Sequence, residues 1–361
     1  MRRAICGLVA CLLGPPLWAD STVNPDPITV YFPQLESKGF LGRNVATVLS
    51  LQLAQTGRQA PWPENPDGDD FNLAIMAWSD EPMTRQSHEG AEAEARRRDL
   101  LAQIVIWGET RSYAGEVIAD LNVTLPTFAA PGDCGGGKSC DFRDANFETW
   151  TLTRSGHRLS VGPPRRRFSL SAVRLEPDIV ETFRRIDGLA IRQRIDGGPV
   201  LGRTGTTLRF LEFNPRLPEA PTRLTSGGVT GYVTLPELSE GASEFSAMVG
   251  GLLQLYRGDW ERAIESFSAV LDSPASRAPL KLDALLLRGM ARFRDGGDGG
   301  ADFARARDLA PFDRRAVQYA VMGHIARGDD LGAARTLLEE KAFLFSADDP
   351  WLAAARTLLD R

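Results

Sequence analysis

The spacing of apolar side chains changes character twice along the chain. Between 27 and about 126, short apolar runs alternate with segments of helical period. Ile28-Thr29-Val30-Tyr31-Phe32 reads as a strand ended by Pro33, and Leu41, Val45, Val48, Leu49 and Leu53 then fall on one helical face. A strand at 73–78 and an Ala-, Glu- and Arg-rich helix at 89–103 follow. Ile104-Val105-Ile106-Trp107-Gly108-Glu109 reads as a buried strand. Val117, Ala119, Leu121, Val123 and Leu125 alternate as on a half-exposed strand, after a hairpin at 113–116. The order β-α-β-α-β-β describes a small α/β sandwich. Between 186 and 238 the runs become short and glycine-punctuated, with strands expected at 189–192, 207–213 and 231–235, as in a small β barrel. Beyond 242 the period is helical throughout.

That last region repeats itself. Arg257-Gly258-Asp259 recurs as Arg327-Gly328-Asp329, 70 positions on, and Ala263 recurs as Ala333. Half of 70 is 35, close to the period of about 34 for tetratricopeptide helix pairs. Gly289, Phe303, Ala306 and Pro311 supply the intervening unit. Gly251 and Gly289 mark close helix crossings, and Phe267 and Phe303 are core positions. Val321 stands where the third unit calls for a small residue. The segment 242–345 resembles tetratricopeptide repeats. Asp349-Pro350-Trp351-Leu352 opens a final helix whose Trp351, Leu352, Ala355, Leu358 and Leu359 share one face, as a cap requires.

Charge and targeting signals narrow the setting. Met1-Arg2-Arg3, a short apolar run to Gly14, and Leu17-Trp18-Ala19 form the layout of a secretory signal peptide cleaved after Ala19. Its loss takes the formal charge from −5 to −7, which argues against nucleic acid as a ligand. No stretch is long and apolar enough for a membrane helix. The expected location is the periplasm. Two cysteines remain, Cys134 and Cys140, and in an oxidising compartment they read as a disulfide closing a short Gly-rich loop. The chain thus reads as α+β multidomain: signal peptide 1–19, sandwich 27–180 with a Cys-closed hairpin insertion, barrel 186–238, and capped repeats 242–361.

Two further resemblances rest on quoted residues. The strand ending in Pro33, the following helix, and Ile104-Val105-Ile106-Trp107-Gly108-Glu109 before a hairpin resemble the amino-terminal domains of the Tol-system β-propeller protein and the curli-secretion lipoprotein. This implies an envelope docking domain without chemistry. Gly198-Pro199-Val200-Leu201-Gly202-Arg203 with Ser226-Gly227-Gly228-Val229-Thr230-Gly231-Tyr232-Val233 resembles a bacterial Src-homology-3-like barrel, many of which bind peptidoglycan or peptides. Aromatic residues are few there, chiefly Phe210, Phe213 and Tyr232, so a spacer role is expected of it.

Motifs for chemistry are weak. Gly132-Asp133-Cys134-Gly135-Gly136-Gly137-Lys138-Ser139 matches a phosphate-binding loop at every fixed position. Pro126 and Pro131 interrupt the required strand, however, and no helix pattern follows Lys138. The match reads as a coincidence on a closed turn. His88, His157 and His324 are scattered, with neither a nucleophile elbow nor a zinc pair beside them. The expectation is therefore a non-enzymatic protein without cofactor or metal.

The expected working surface is the concave face of the repeats. In tetratricopeptide geometry the first helices would line it with Phe245, Met248, Leu252 and Leu255. Leu286, Met290 and Phe293 would follow, then Gln318, Met322 and Ile325. A methionine-rich groove suits a helix or extended peptide of an envelope partner. The alternative is a groove filled from within, by the barrel or the final helix. Peptidoglycan bound at the barrel is the competing functional expectation.

Overall fold

The computed structural model describes residues 28–37, 46, 49, 53, 74–97, 102–113, 116–126, 150–154, 156–162, 166–175, 187–205, 209–212, 221–234, 244–328 and 331–360. Two five-stranded sheets, one two-stranded sheet and eight α-helices make these residues an α+β fold.

The first sheet contains β1 (Ile28–Gln34), β2 (Ala74–Pro82), β3 (Ile104–Tyr113) and β4 (Glu116–Thr124), and β7 (Arg167–Arg174) completes it. Their order is β2-β1-β3-β4-β7, with β1 parallel to both β2 and β3 and the rest antiparallel. Because β2 and β3 flank β1 on opposite sides, two right-handed crossovers must leave on opposite faces of the sheet. The burial pattern agrees. Val30, Phe32, Ile104 and Ile106 pack with Ala46, Leu49 and Leu53, which have helical backbone. Tyr31, Val105 and Trp107 face the other way, onto Ala91 and Ala95 of α1 (His88–Arg97). Proline does not end β1 as the sequence suggests. The strand continues through Pro33, where the register with β2 shifts, so the missing N–H falls at an irregularity.

An insertion between β4 and β7 carries a hairpin of β5 (Trp150–Arg154) and β6 (His157–Val161). Among the described residues these two strands pair only with each other. The second five-stranded sheet comprises β8 (Ala190–Arg194), β9 (Gly197–Arg203), β10 (Arg209–Glu212), β11 (Thr222–Ser226) and β12 (Val229–Val233). It is antiparallel, in the order β10-β11-β12-β8-β9, with β9 and β10 at its edges.

The helices run in consecutive pairs: α2 (Glu244–Arg257) and α3 (Trp260–Asp272), α4 (Ala278–Arg294) and α5 (Gly300–Leu309), α6 (Arg314–Arg327) and α7 (Leu331–Glu340). A 3₁₀ turn (Ala342–Leu344) leads to α8 (Pro350–Leu359). Aspartates cap three starts. Asp259, Asp313 and Asp349 accept from the amides of Arg262, of Arg315 and Ala316, and of Trp351 and Leu352. Within each of the first two pairs a glycine lets the helices cross closely. A Cβ on Gly251 would sit 2.6 Å from the Phe267 ring, and one on Gly289 would sit 2.3 Å from Phe303. The third pair has no such glycine: Val321 is buried at that position, and Gly323, two places on, faces Phe303 of the preceding pair. One continuous apolar cluster joins the first sheet, the hairpin and all seven of these helices.

Candidate functional site

The residues of the helical face expected to receive a partner are mostly buried. Phe245, Met248, Leu252, Leu255, Leu286, Met290, Met322 and Ile325 are buried, Gln318 is 9% exposed, and Phe293 is half-buried. Neither the second sheet nor α8 alone does the covering. Phe245 meets Phe32 of β1 edge-on, with centroids 6.4 Å apart, and the Tyr256 hydroxyl donates to the Gln103 carbonyl at 3.3 Å. Farther along, β7 lies against α4, β5 against α6, and β6 against α8. The amino-terminal sheet and its inserted hairpin thus contribute to the cover, in one apolar cluster that also takes in Ile191, Leu224 and Val233 of the second sheet.

Trp150 is the centre of that contact. Its indole lies 5.0 Å from the Phe293 ring, 5.5 Å from Phe303 and 6.0 Å from Tyr319, centroid to centroid. Tyr319 donates its hydroxyl proton to the main-chain carbonyl of Gly162 at 2.7 Å and also touches Met290 Sδ at 3.1 Å. Burial pushes the phenol well above its ordinary value, so Tyr319 stays protonated and remains a donor. The hairpin is amphipathic. Leu159 and Val161 are buried against the cluster, whereas the hydroxyls of Thr151 and Ser160 pair at 2.8 Å on the exposed side.

Behind the aromatic seat the array is tied together by ion pairs. Asp302, 1% exposed, accepts from Arg288 through two bonds of 3.1 and 2.6 Å and from Arg292 at 2.9 Å. Arg288 also donates to Ser268, linking α3, α4 and α5. Arg315 bridges buried Asp283 on α4 and the cap Asp313. Burial raises the Asp313 pKa, but the Arg315 hydrogen bond and charge and two backbone amides outweigh it, leaving the carboxyl below its ordinary value.

The histidines sit on three separate elements, α1, β6 and α6. His88 Nδ1 is 2.8 Å from Thr124 Oγ1, which also accepts from the Trp107 indole, and His324 Nδ1 is 3.2 Å from Arg327. Arg167, from the basic run at 165–167, is engaged by Glu89 and Glu92 of α1. Cys134, Cys140 and the loop around Lys138 lie outside the described residues, as does Phe213. Among the described residues no group of three or more His, Cys, Asp or Glu is placed to hold a metal, and no helix is long and apolar enough to cross a membrane.

Sequence reasoning missed the decisive residue. The spacing of apolar residues gives Trp150 no role, and it does not single out the hairpin or β7 as strands. A partial signal is present: Leu159 and Val161, then Phe168 and Leu170, alternate with polar neighbours. No protein-family model matches the chain, and neither a curated protein nor a solved structure is significantly similar to it.

Proposed function

We propose that the chain is a non-enzymatic periplasmic scaffold whose tetratricopeptide-type repeats bind a protein partner of the cell envelope. The seat around Trp150 is the observation that carries this reading. The rings of Phe293, Phe303 and Tyr319, from α4, α5 and α6, surround Trp150 of β5, and the Tyr319 phenol also donates to the main-chain carbonyl of Gly162 just beyond β6. That is how a peptide-binding groove works, with apolar pockets for side chains and a polar contact to the backbone. The recurrence of the Gly258 turn at Gly328 and the glycine–phenylalanine crossings of the first two pairs support the repeat type. The signal-like start of the chain supports export, and its acidic charge disfavours nucleic acid. The amino-terminal domain acts as the docking body on which the array is mounted.

The test is a pull-down from detergent-treated envelope, with the intact chain against one ending at Glu240 whose sheets are checked by circular dichroism. Loss of specific partners on truncation is expected, and an unchanged partner set contradicts the proposal. One observation favours the alternative of peptidoglycan bound at the barrel. Ile195, Val200 and Leu201 are exposed by 59%, 51% and 46% on the β8–β9 hairpin, at the open edge of the second sheet. Sedimentation with purified peptidoglycan, abolished by Val200→Ser/Leu201→Ser, would establish that reading in its place.

A further inference from the structure

We infer that the β5–β6 hairpin is an internal stand-in for the partner: it occupies the repeat groove in cis, and an extended partner strand bearing an aromatic side chain takes its place. The inference rests on the reading of the repeats as a protein-binding array and names the occupant of that array.

Three observations carry it. The hairpin belongs to neither large sheet, and among the described residues β5 and β6 pair only with each other. A lone two-stranded hairpin is marginal in water, so the groove supplies what holds it. Second, its contacts at the aromatic seat are generic: one indole among Phe293, Phe303 and Tyr319, and, just beyond β6, one main-chain carbonyl accepting from Tyr319, while Leu159 and Val161 add apolar burial and β6 lies against α8. Any extended strand with an aromatic side chain offers the same groups. Third, the array is held by bonds that do not involve the hairpin. Arg288–Asp302, Arg315–Asp283 and the crossing of Gly289 on Phe303 tie its helices to one another. The groove therefore keeps its shape when the hairpin leaves.

The tether explains how such a groove avoids the wrong ligands. The hairpin and the groove belong to one chain, so the hairpin stays near the groove in either state. A segment so tethered competes at an effective concentration on the order of millimolar. Weak peptides are turned away, and a partner must fit the aromatic seat better than the hairpin does. The apparent affinity for a strand in trans is reduced by the small fraction of open grooves.

The probe is a fluorescein-labelled peptide of residues 150–162, titrated into the full chain and followed by polarisation. Trp150→Ala weakens the cis competitor, so it should bind this peptide at least roughly tenfold more tightly than the wild type does. The same peptide with Ala for its Trp should bind neither. A folded Trp150→Ala protein that binds no better than wild type overturns the inference. So does a Trp150→Ala dimer that excludes the peptide, because the occupant is then a second copy. Should that variant not fold, amide hydrogen exchange on the unaltered chain decides. Amides of β5 and β6 that exchange well before those of α4 and α6 support a hairpin that opens locally, and exchange only on global unfolding refutes it. Peptide binding without any envelope partner would sink the scaffold proposal and leave this one standing.

Discussion

Gly289→Ala is an informative single change, because two opposing terms can be set against each other. In a helix interior the substitution should stabilise by about 0.5–1 kcal/mol, through the better propensity of alanine. Here the new Cβ would lie 2.3 Å from Cε1 and 2.7 Å from Cδ1 of Phe303. That ring cannot retreat. It is fully buried, with Phe293 at 5.7 Å, Trp150 at 5.5 Å and Tyr319 at 5.2 Å around it. Overpacking of a tight core costs roughly 1–3 kcal/mol, and a site enclosed by three rings belongs at the upper end. The net expectation is a loss of about 2 kcal/mol, read as a lower urea midpoint with unchanged slope. Phe303→Leu opens space for the methyl group, so the double variant should lose less than the sum of the singles, by on the order of 1 kcal/mol. A Gly289→Ala protein as stable as the wild type would refute the close crossing, and strictly additive losses would refute the Gly289–Phe303 contact.

Asp302→Ala should cost about 3 kcal/mol or more, since it strands a nearly buried Arg288, whereas Arg288→Met/Asp302→Leu should recover most of that in the same urea titration. Asp313 is held below its ordinary pKa in the folded state, so its contribution is complete above that value and is lost as pH falls through the lower folded one. Asp313→Asn should thus be less stable than wild type at neutral pH, and the gap should close in acid; a gap that does not change with pH would contradict the assignment. Exported protein should show no alkylatable thiol at Cys134 or Cys140 until reduced, and two free thiols by mass spectrometry would rule out their disulfide.

Much of the helical region was legible because its cues are local. Glycine turns at 258 and 328, ring positions at 267 and 303 and the capping face from Trp351 to Leu359 are set by residues close in sequence. The first sheet was readable where strands alternate cleanly, as in Val117 to Leu125. What covers the groove was not legible, for a physical reason. Trp150 meets Phe293, Phe303 and Tyr319 across more than 140 positions, and nothing in the spacing of either partner encodes that contact. The spacing of the methionine-rich stripe marks an apolar face, but periodicity does not tell a face that waits for a partner from one already covered. Boundaries suffered similarly. The helix expected at 89–103 ends at Arg97, and β9 and β11, rich in Gly, Pro, Arg and Thr, carry too little apolar alternation to stand out.

The central claim is that the helical pairs, rather than the second sheet, are where a protein partner is gripped. Site-specific photo-crosslinking in intact cells tests it most directly, with the reactive residue placed at Phe293 on the groove, at Phe343 on the exposed turn before α8, and at Val200 on the edge of the second sheet. The account predicts that Phe293 yields a defined adduct with a second protein, that Phe343 yields it more weakly, and that Val200 yields none. Adducts formed only from Val200, or only within the chain from all three positions, would contradict it.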